Sequence, residues 1–495
     1  MFNLRSWKAM IFFSVFCLVT GSAVCAQTFT SVANFHGTDG FQPWSMTLIQ
    51  GTDGNLYGTT FSGGTYGMGT VFKVTPKGEL TALYSFCAQT GCPDGMHPNA
   101  GLVQASDGNF YGMTSLGGAN NDGTIFEITP EGRLTTLHSF QGTDGIGPSA
   151  LIQAVDGNFY GGTSLGGNLS ACPTGPGCGT IFEITAAGKL TTLHAFDGTD
   201  GLGAGPLIQA SDGNFYGMTR NGGLDDCPNF AGCGTVFKMN ATGNLTTIYS
   251  FHGDDGSWPA GALLQATNEN FYGTTNWGGT TNLGTVFELT PAGELTMLHS
   301  FDLTDGSMPG IGLVQATDGN LYGTTNSGGP NAVYGTYNSG YGTIFEVTPE
   351  GEFTNLHNFI LTDGGGPWGG LVQATDGSFY GATINGGGSL NCGTGGCGTI
   401  FNLSVGLNPF VKLRPTVGEA GLPVTVLGTD LTGTTKVTFN GKAAVFKVVS
   451  STEIQATVPA EANTGKVEVT TPQGALSSNV PFRVEIHPRA RHGRF

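Results

Sequence analysis

Along most of the chain, hydrophobic and polar positions alternate in short runs punctuated by glycine, with no helical stripe. Residues 100–140 show the pattern: "GLVQA", the turn "SDGN", "FYGMT", a Gly-rich loop, "GTIFEIT", the turn "PEGR" and "LTTLHSF". Asp-Gly-Asn and Glu-Gly-Arg between apolar runs are hairpin signals, because Gly and Asn accept the positive φ of a tight turn. The spacing predicts four consecutive antiparallel strands, at positions a, b, c and d. In "GTIFEIT", Phe126 and Ile128 point one way and Ile125 the other, so both faces of such a sheet need cover.

The phrase repeats. The position of Asp107 recurs at Asp53, Asp156, Asp212, Asn268, Asp318 and Asp376, at spacings of 54, 49, 56, 56, 50 and 58 residues. A near-constant period with variable loops signals a repeat architecture, and a four-stranded meander is the blade of a propeller. Strands a, b and c occur seven times, the last c strand being "GTIFNLS" at 398–404 with no d strand after it. The missing d strand lies at the other end, where "FTSVANF" at 29–35 matches "LTTLHSF". We therefore expect an all-β fold: over residues 27–406, a seven-bladed β-propeller closed by the N-terminal strand, which hides both open edges. After Pro409 the alternation changes, and some seven short strands over 409–485 predict an immunoglobulin-like β-sandwich. The tail "HPRARHGRF" within 486–495 reads as disordered.

The string "DGNFYG…T…GG…GTIFEIT..G.LTTLHSF" resembles the Gloeo/Verruco (GloVer) tandem repeat of secreted bacterial proteins, over roughly residues 28–405. That resemblance implies a β-propeller and export, and no particular activity. The C-terminal region resembles the IPT/TIG immunoglobulin-like domain at 415–418, "VTVLG" (424–428), "VTFNG" (437–441), "ATVP" (456–459) and "TTPQG" (470–474). Such domains imply a spacer or interaction module. The turn-and-aromatic phrase is also similar to the sensing propellers of bacterial two-component regulators, but no kinase or membrane segment accompanies it.

Composition adds the compartment. Arg5 and Lys8, the apolar "AMIFFSVFCLV" and the small residues Val24 and Ala26 before Gln27 make residues 1–26 a secretory signal peptide. A lipid anchor through Cys25 is the weaker reading, because Val24 fits poorly before a lipidated cysteine. No segment reaches the length of a membrane span. Eight cysteines then remain in four close pairs: Cys87/Cys92, Cys172/Cys178, Cys227/Cys233 and Cys392/Cys397. Even number, local pairing and an export signal predict disulfides of a secreted, periplasmic or cell-surface protein. Zinc is disfavoured by the spacing and the lack of nearby His. Each small loop adds about 2 kcal/mol in the chain-entropy model. Residues 27–408 hold 6 basic and 29 acidic residues, whereas 409–495 hold 10 and 6. So acidic a body repels phosphate backbones, which excludes nucleic acid as the expected partner.

Candidate chemistry falls on the side of the b–c and d–a loops, which carries the long loops and all the cysteines. Each d–a loop holds an Asp-Gly: Asp39, Asp94, Asp144, Asp200, Asp255, Asp305 and Asp363. A turn-capping role is preferred; a cation-attracting ring, with Ca²⁺ as its occupant, is the sharper alternative. Trp44, Trp258 and Trp368 flank the d–a prolines and Trp277 sits in a b–c loop, with Tyr66, Tyr337 and Tyr341 able to extend the patch. Exposed aromatics on a polar rim suit stacking on sugar rings or anchoring a protein, against the plainer role of plugging their own loops. Asp225, Asp226 and Asp254 depart from the repeat but read as solvated loop residues. His138, His194, His299 and His357 share one d-strand position, and His36 and His252 another, so repetition speaks for structure over a single triad. "GTGGCG" at 393–398 spells a dinucleotide loop but precedes a strand. The expectation is a monomeric, exported, non-enzymatic binding protein without cofactor, engaging a glycan or surface protein. The alternative is a lyase or hydrolase acting on a polysaccharide or small molecule at the channel mouth.

Overall fold

The computed structural model describes residues 27–44, 46–170, 172, 175–223, 227, 232–259, 261–333 and 339–485. The expected signal peptide and the tail at 486–495 lie outside these residues. Among these residues the fold is all-β, with one short 3₁₀ turn at Leu390–Cys392. Among the described residues no helix is long and apolar enough to cross a membrane.

The repeat folds as its polar punctuation dictates. Val103–Gln104, Phe110–Thr114, Thr124–Ile128 and Leu134–Ser139 form one antiparallel sheet in chain order. The Asp107 carboxylate accepts the Asn109 N–H at 2.9 Å, and Gly108 takes φ +88° to turn the hairpin. Gly112 stands in register with Phe126, and a Cβ there would meet the ring at 2.5 Å. The Phe ring lies flat across the neighbouring strand because that strand has no side chain at this point. Six further sheets of the same kind share residues 28–404 among the described residues.

Both faces of each sheet are buried. Phe126 and Ile128 join Tyr57, Phe86, Leu102 and Phe110 of one apolar cluster; Ile125 joins Tyr111, Phe140, Phe159 and Phe182 of the next. A fully buried Phe contributes about 1.5–3 kcal/mol, so each junction is held by several such terms. Aromatic pairs bridge the junctions: Tyr57–Phe110 and Tyr111–Phe159 have ring centroids 4.2 Å apart, and Tyr216–Phe271 and Tyr322–Phe379 4.3 Å.

A second link runs along strand position a. The Gln104 side-chain oxygen accepts the Thr52 N–H of the preceding sheet at 3.1 Å. Gln153, Gln209, Gln265 and Gln315 do the same for Ser106, Val155, Ser211 and Thr267, at 3.2, 3.0, 2.7 and 2.9 Å. Gln50 in turn accepts the Thr375 N–H at 3.0 Å, across 325 residues of sequence. The N-terminal strand Thr28–Asn34 pairs antiparallel with Thr399–Ser404 and finishes the sheet that also holds Phe379–Thr383 and Val372–Gln373. Phe29 stacks on His357 at 3.7 Å, anchoring that strand to the preceding sheet.

The C-terminal sandwich sets Lys412–Arg414, Pro423–Leu427, Glu453–Thr457 and Val445–Val448 against Lys442–Ala443, Lys436–Phe439, Val467–Thr471 and Gly474–Ser477. Its entry strand serves two bodies by alternation. Val411 and Leu413 enter the sandwich core, which sends Phe410, Lys412 and Arg414 to the opposite side. There Arg414 donates to the Gln50 carbonyl at 2.7 Å and to the Gln104 side chain at 2.5 Å, while the Phe410 N–H reaches the Thr375 carbonyl at 3.0 Å. Thr452 donates to the Thr52 carbonyl at 2.8 Å, and Arg483 to that of Ser211. The sandwich is therefore docked, not a free spacer, and it touches a–b turns of widely separated repeats.

Two outcomes follow. Deleting residues 28–34 leaves Thr399–Ser404 with an unpaired edge; hydrogen exchange should lose its protection there, and size exclusion should show self-association. Lys412 is depressed to about 7 by burial and then by the Arg414 guanidinium, with Asp376 pulling the other way. The folded state thus binds fewer protons than the unfolded chain above that value, and stability rises with pH from about 7 to 9. Lys412→Met should flatten this slope in denaturant titrations.

Candidate binding face

The loops at the b–c and d–a end rest on a hydrogen-bonded frame built from the repeat. His138, His194, His299 and His357 place a ring nitrogen 2.9, 2.7, 2.9 and 3.2 Å from Asp144, Asp200, Asp305 and Asp363. Tyr84 donates to Asp94 at 2.9 Å and Tyr249 to Asp255, whereas Asp39 meets the Nδ1 of His36 at 3.1 Å. The Asp carboxylates also accept backbone N–H groups of their own loops, as Gln141 to Asp144 at 2.8 Å and Ile360 to Asp363 at 2.9 Å. Burial raises the Asp144 pKa, but the His138 bond and backbone donors outweigh it and leave the carboxyl below its ordinary value. Burial likewise keeps the His357 ring below the usual histidine value despite Asp363. The His357 ring is thus biased toward its neutral form. Each of the seven aspartates is thus engaged in its own turn, and among the described residues no group of three or more His, Cys, Asp or Glu is placed to hold a metal ion.

Below this layer, Thr at the end of strand b meets Thr at the start of strand c, as Thr114 and Thr124 at 2.8 Å. The c-strand Thr also donates to the d–a Asp carbonyl, as Thr180 to Asp144 at 2.9 Å. Four disulfides tie the loops: Cys87–Cys92, Cys172–Cys178, Cys227–Cys233 and Cys392–Cys397. Cys178, Cys233 and Cys397 are buried in the apolar clusters, so three of the four bridges fasten loops to the cores. Such bridges belong to an extracellular, oxidising location.

The tryptophans fall into two groups. Trp44 and Trp368 meet edge to face with centroids 6.4 Å apart. Trp44 also contacts Phe61 at 5.7 Å, and Phe61 stacks on His97 at 4.5 Å. The four rings form a row drawn from the last, first and second repeats, with Trp44 39% exposed. Tyr341, 37% exposed, has its ring beside Gly365, just before Trp368 in the chain. In the second group, Trp277 is in strand register with Ser257, next to Trp258. The Trp258 indole N–H donates to Asn221 at 3.3 Å, and the Arg220 guanidinium sits 5.0 Å from its ring centre. Tyr66 is exposed apart from these rings, Asp254 is solvent-facing, and Asp225, Asp226 and Tyr337 lie outside the described residues.

Sequence reasoning passed over Phe61 and His97. A signal was present: the residue after strand b is Ser, Asn or Arg in five repeats, and apolar only as Phe61 and Ile384.

Direct main-chain bonds join neighbouring a segments. The Ala262 N–H donates to the Ile311 carbonyl and the Ile311 N–H to that of Trp368, both at 3.1 Å. Adjacent sheets therefore meet backbone to backbone beneath the loop face.

Comparison with known proteins gives the chain its relatives. No curated protein matches it. A fungal alcohol oxidase of the AA5 family, solved with copper, superposes with a TM-score of 0.50 at 13% identity, over 93% of this chain and 99% of its own. An extracellular domain assigned to a hybrid two component system of B. thetaiotaomicron gives 0.49 at 12% identity, over 92% of this chain; the chain spans 57% of that protein's length. At such identities the likeness is one of fold alone. The Gloeobacter/Verrucomicrobia repeat model matches residues 22–206 and 173–336, and the IPT/TIG domain model matches 410–484. With the repeat matched over well more than half its length, the chain belongs to the Gloeobacter/Verrucomicrobia repeat family and carries an IPT/TIG domain after the repeats.

Proposed function

We propose that this protein is an exported, non-enzymatic binding protein. In this reading the repeats make a seven-bladed β-propeller closed by the N-terminal strand, and its b–c and d–a loop face engages an extracellular glycan. The carrying observation is the row Trp368–Trp44–Phe61–His97, four ring systems in contact across three repeats on the loop rim. Aromatic faces stack on the C–H faces of sugars, and tryptophan contributes the most contact area for the least lost side-chain freedom.

Three further observations support the reading. The Gln bonds that link consecutive sheets return from Thr375 to Gln50, as closure requires. The sandwich covers a–b turns, which leaves the loop face as the open one. The four disulfides suit export. The seven d–a aspartates enter as scaffold that holds the loops, not as cation ligands.

Glycan-array binding by the mature protein, followed by titration of an oligosaccharide hit of four or more units, tests the proposal. The double variant Trp44→Ala/Trp368→Ala should bind at least ~30-fold more weakly, the ~2 kcal/mol of a hot-spot residue, with its far-ultraviolet circular dichroism unchanged. An intact protein that binds no glycan, or a double variant that binds as well, overturns it.

A further inference from the structure

We infer that the cleft between the C-terminal sandwich and the sheet containing Leu321–Ser327 is a second ligand site, for a small neutral polyol such as a mono- or disaccharide. The cleft holds about 460 Å³, within the range of roughly 300–1,000 Å³ typical of small-ligand pockets, and it lies at a domain junction, where such pockets concentrate. This inference does not rest on the loop-face reading, because the cleft lies among the a–b turns.

Its chemistry is set by which lining groups are already engaged. The two charged ones are. The Lys466 ammonium donates to the carbonyls of Ser478 at 2.9 Å and Asn479 at 2.6 Å. The Asp318 carboxylate accepts the Asn320 N–H at 3.1 Å and the Tyr322 hydroxyl at 2.8 Å. With one charge of each sign, both bonded within the protein, the cleft favours a neutral guest.

The lining and the junction beneath it also hold donors and acceptors without a protein partner. At six junctions between consecutive sheets, a glutamine oxygen accepts the backbone N–H of the neighbouring turn, at 2.7–3.2 Å. At the seventh, Gln373 bonds Thr317 only through its amide nitrogen, Nε2 to Oγ1 at 3.3 Å. Its oxygen is buried without a donor, and the Thr317 N–H has no acceptor among the described residues. Thr317 lines the cleft. The repeat's own rule is thus suspended at the one junction beside this cavity. The Asn408 and Ser477 side chains, also in the lining, make no hydrogen bond among the described residues. Hydroxyl groups, each donor and acceptor at once, match such a set better than a carboxylate or an ammonium. Leu407, Pro409 and Phe410 supply the apolar wall for a sugar's C–H face.

Isothermal titration of the full mature chain with glucose, galactose and cellobiose tests the site. Saturable millimolar or tighter binding of at least one sugar is expected. Ala475→Trp, on the exposed strand Gly474–Ser477 at the cleft, should weaken it at least tenfold. Should that variant misfold, Asn408→Ala on the exposed linker removes a polar contact instead, with a several-fold loss expected. Trp44→Ala/Trp368→Ala should bind these small sugars like the wild type, which separates this site from the loop face. Absence of binding by all three sugars overturns the inference. So does wild-type affinity in the cleft variants, or its loss in the tryptophan double variant.

Discussion

A sheet that is apolar on both faces cannot stand alone in water. Every repeat of this chain makes such a sheet, because strand c alternates Phe126 and Ile128 toward one cluster with Ile125 toward another. Each sheet therefore needs a neighbour on both sides, and that need carries through to the last repeat and the first. The phenylalanine laid across glycine in register, the tyrosine stacked on the next sheet's phenylalanine and the glutamine bonded to the next turn all serve it. The loops are free to vary because none of these contacts involves them.

That division explains what could be read in advance. Strand positions a to d were legible because burial on both faces leaves a strong apolar signal and each hairpin needs its Asp-Gly-Asn or Gly turn. The match of "FTSVANF" to a d strand was legible for the same reason, and Thr28–Asn34 does pair with Thr399–Ser404. The cysteine pairs were legible from spacing and compartment.

Other features left no such trace. The aspartates and histidines were each visible as repeated columns, but their bonding across six residues required the turn geometry. The docking of the sandwich was hidden, because Arg414 binds a backbone carbonyl and an amide more than 300 residues away, groups that every protein has. The row of rings was half visible. Its tryptophans are conspicuous in composition, whereas Phe61 and His97 matter only through their neighbours. Contacts that obey a period can be read along a chain; contacts between unlike repeats must be seen in space.

The entry strand of the sandwich has a consequence for how such chains can change. Its odd-numbered side chains build one body and its even-numbered side chains grip the other, from Phe410 to Arg414. Inserting or removing a single residue within Phe410–Arg414 would reverse the alternation beyond that point, turning an apolar side chain outward or a cation toward the sandwich interior. Length in this strand is thus inherited by parity, whereas the loops of the opposite rim can grow one amino acid at a time.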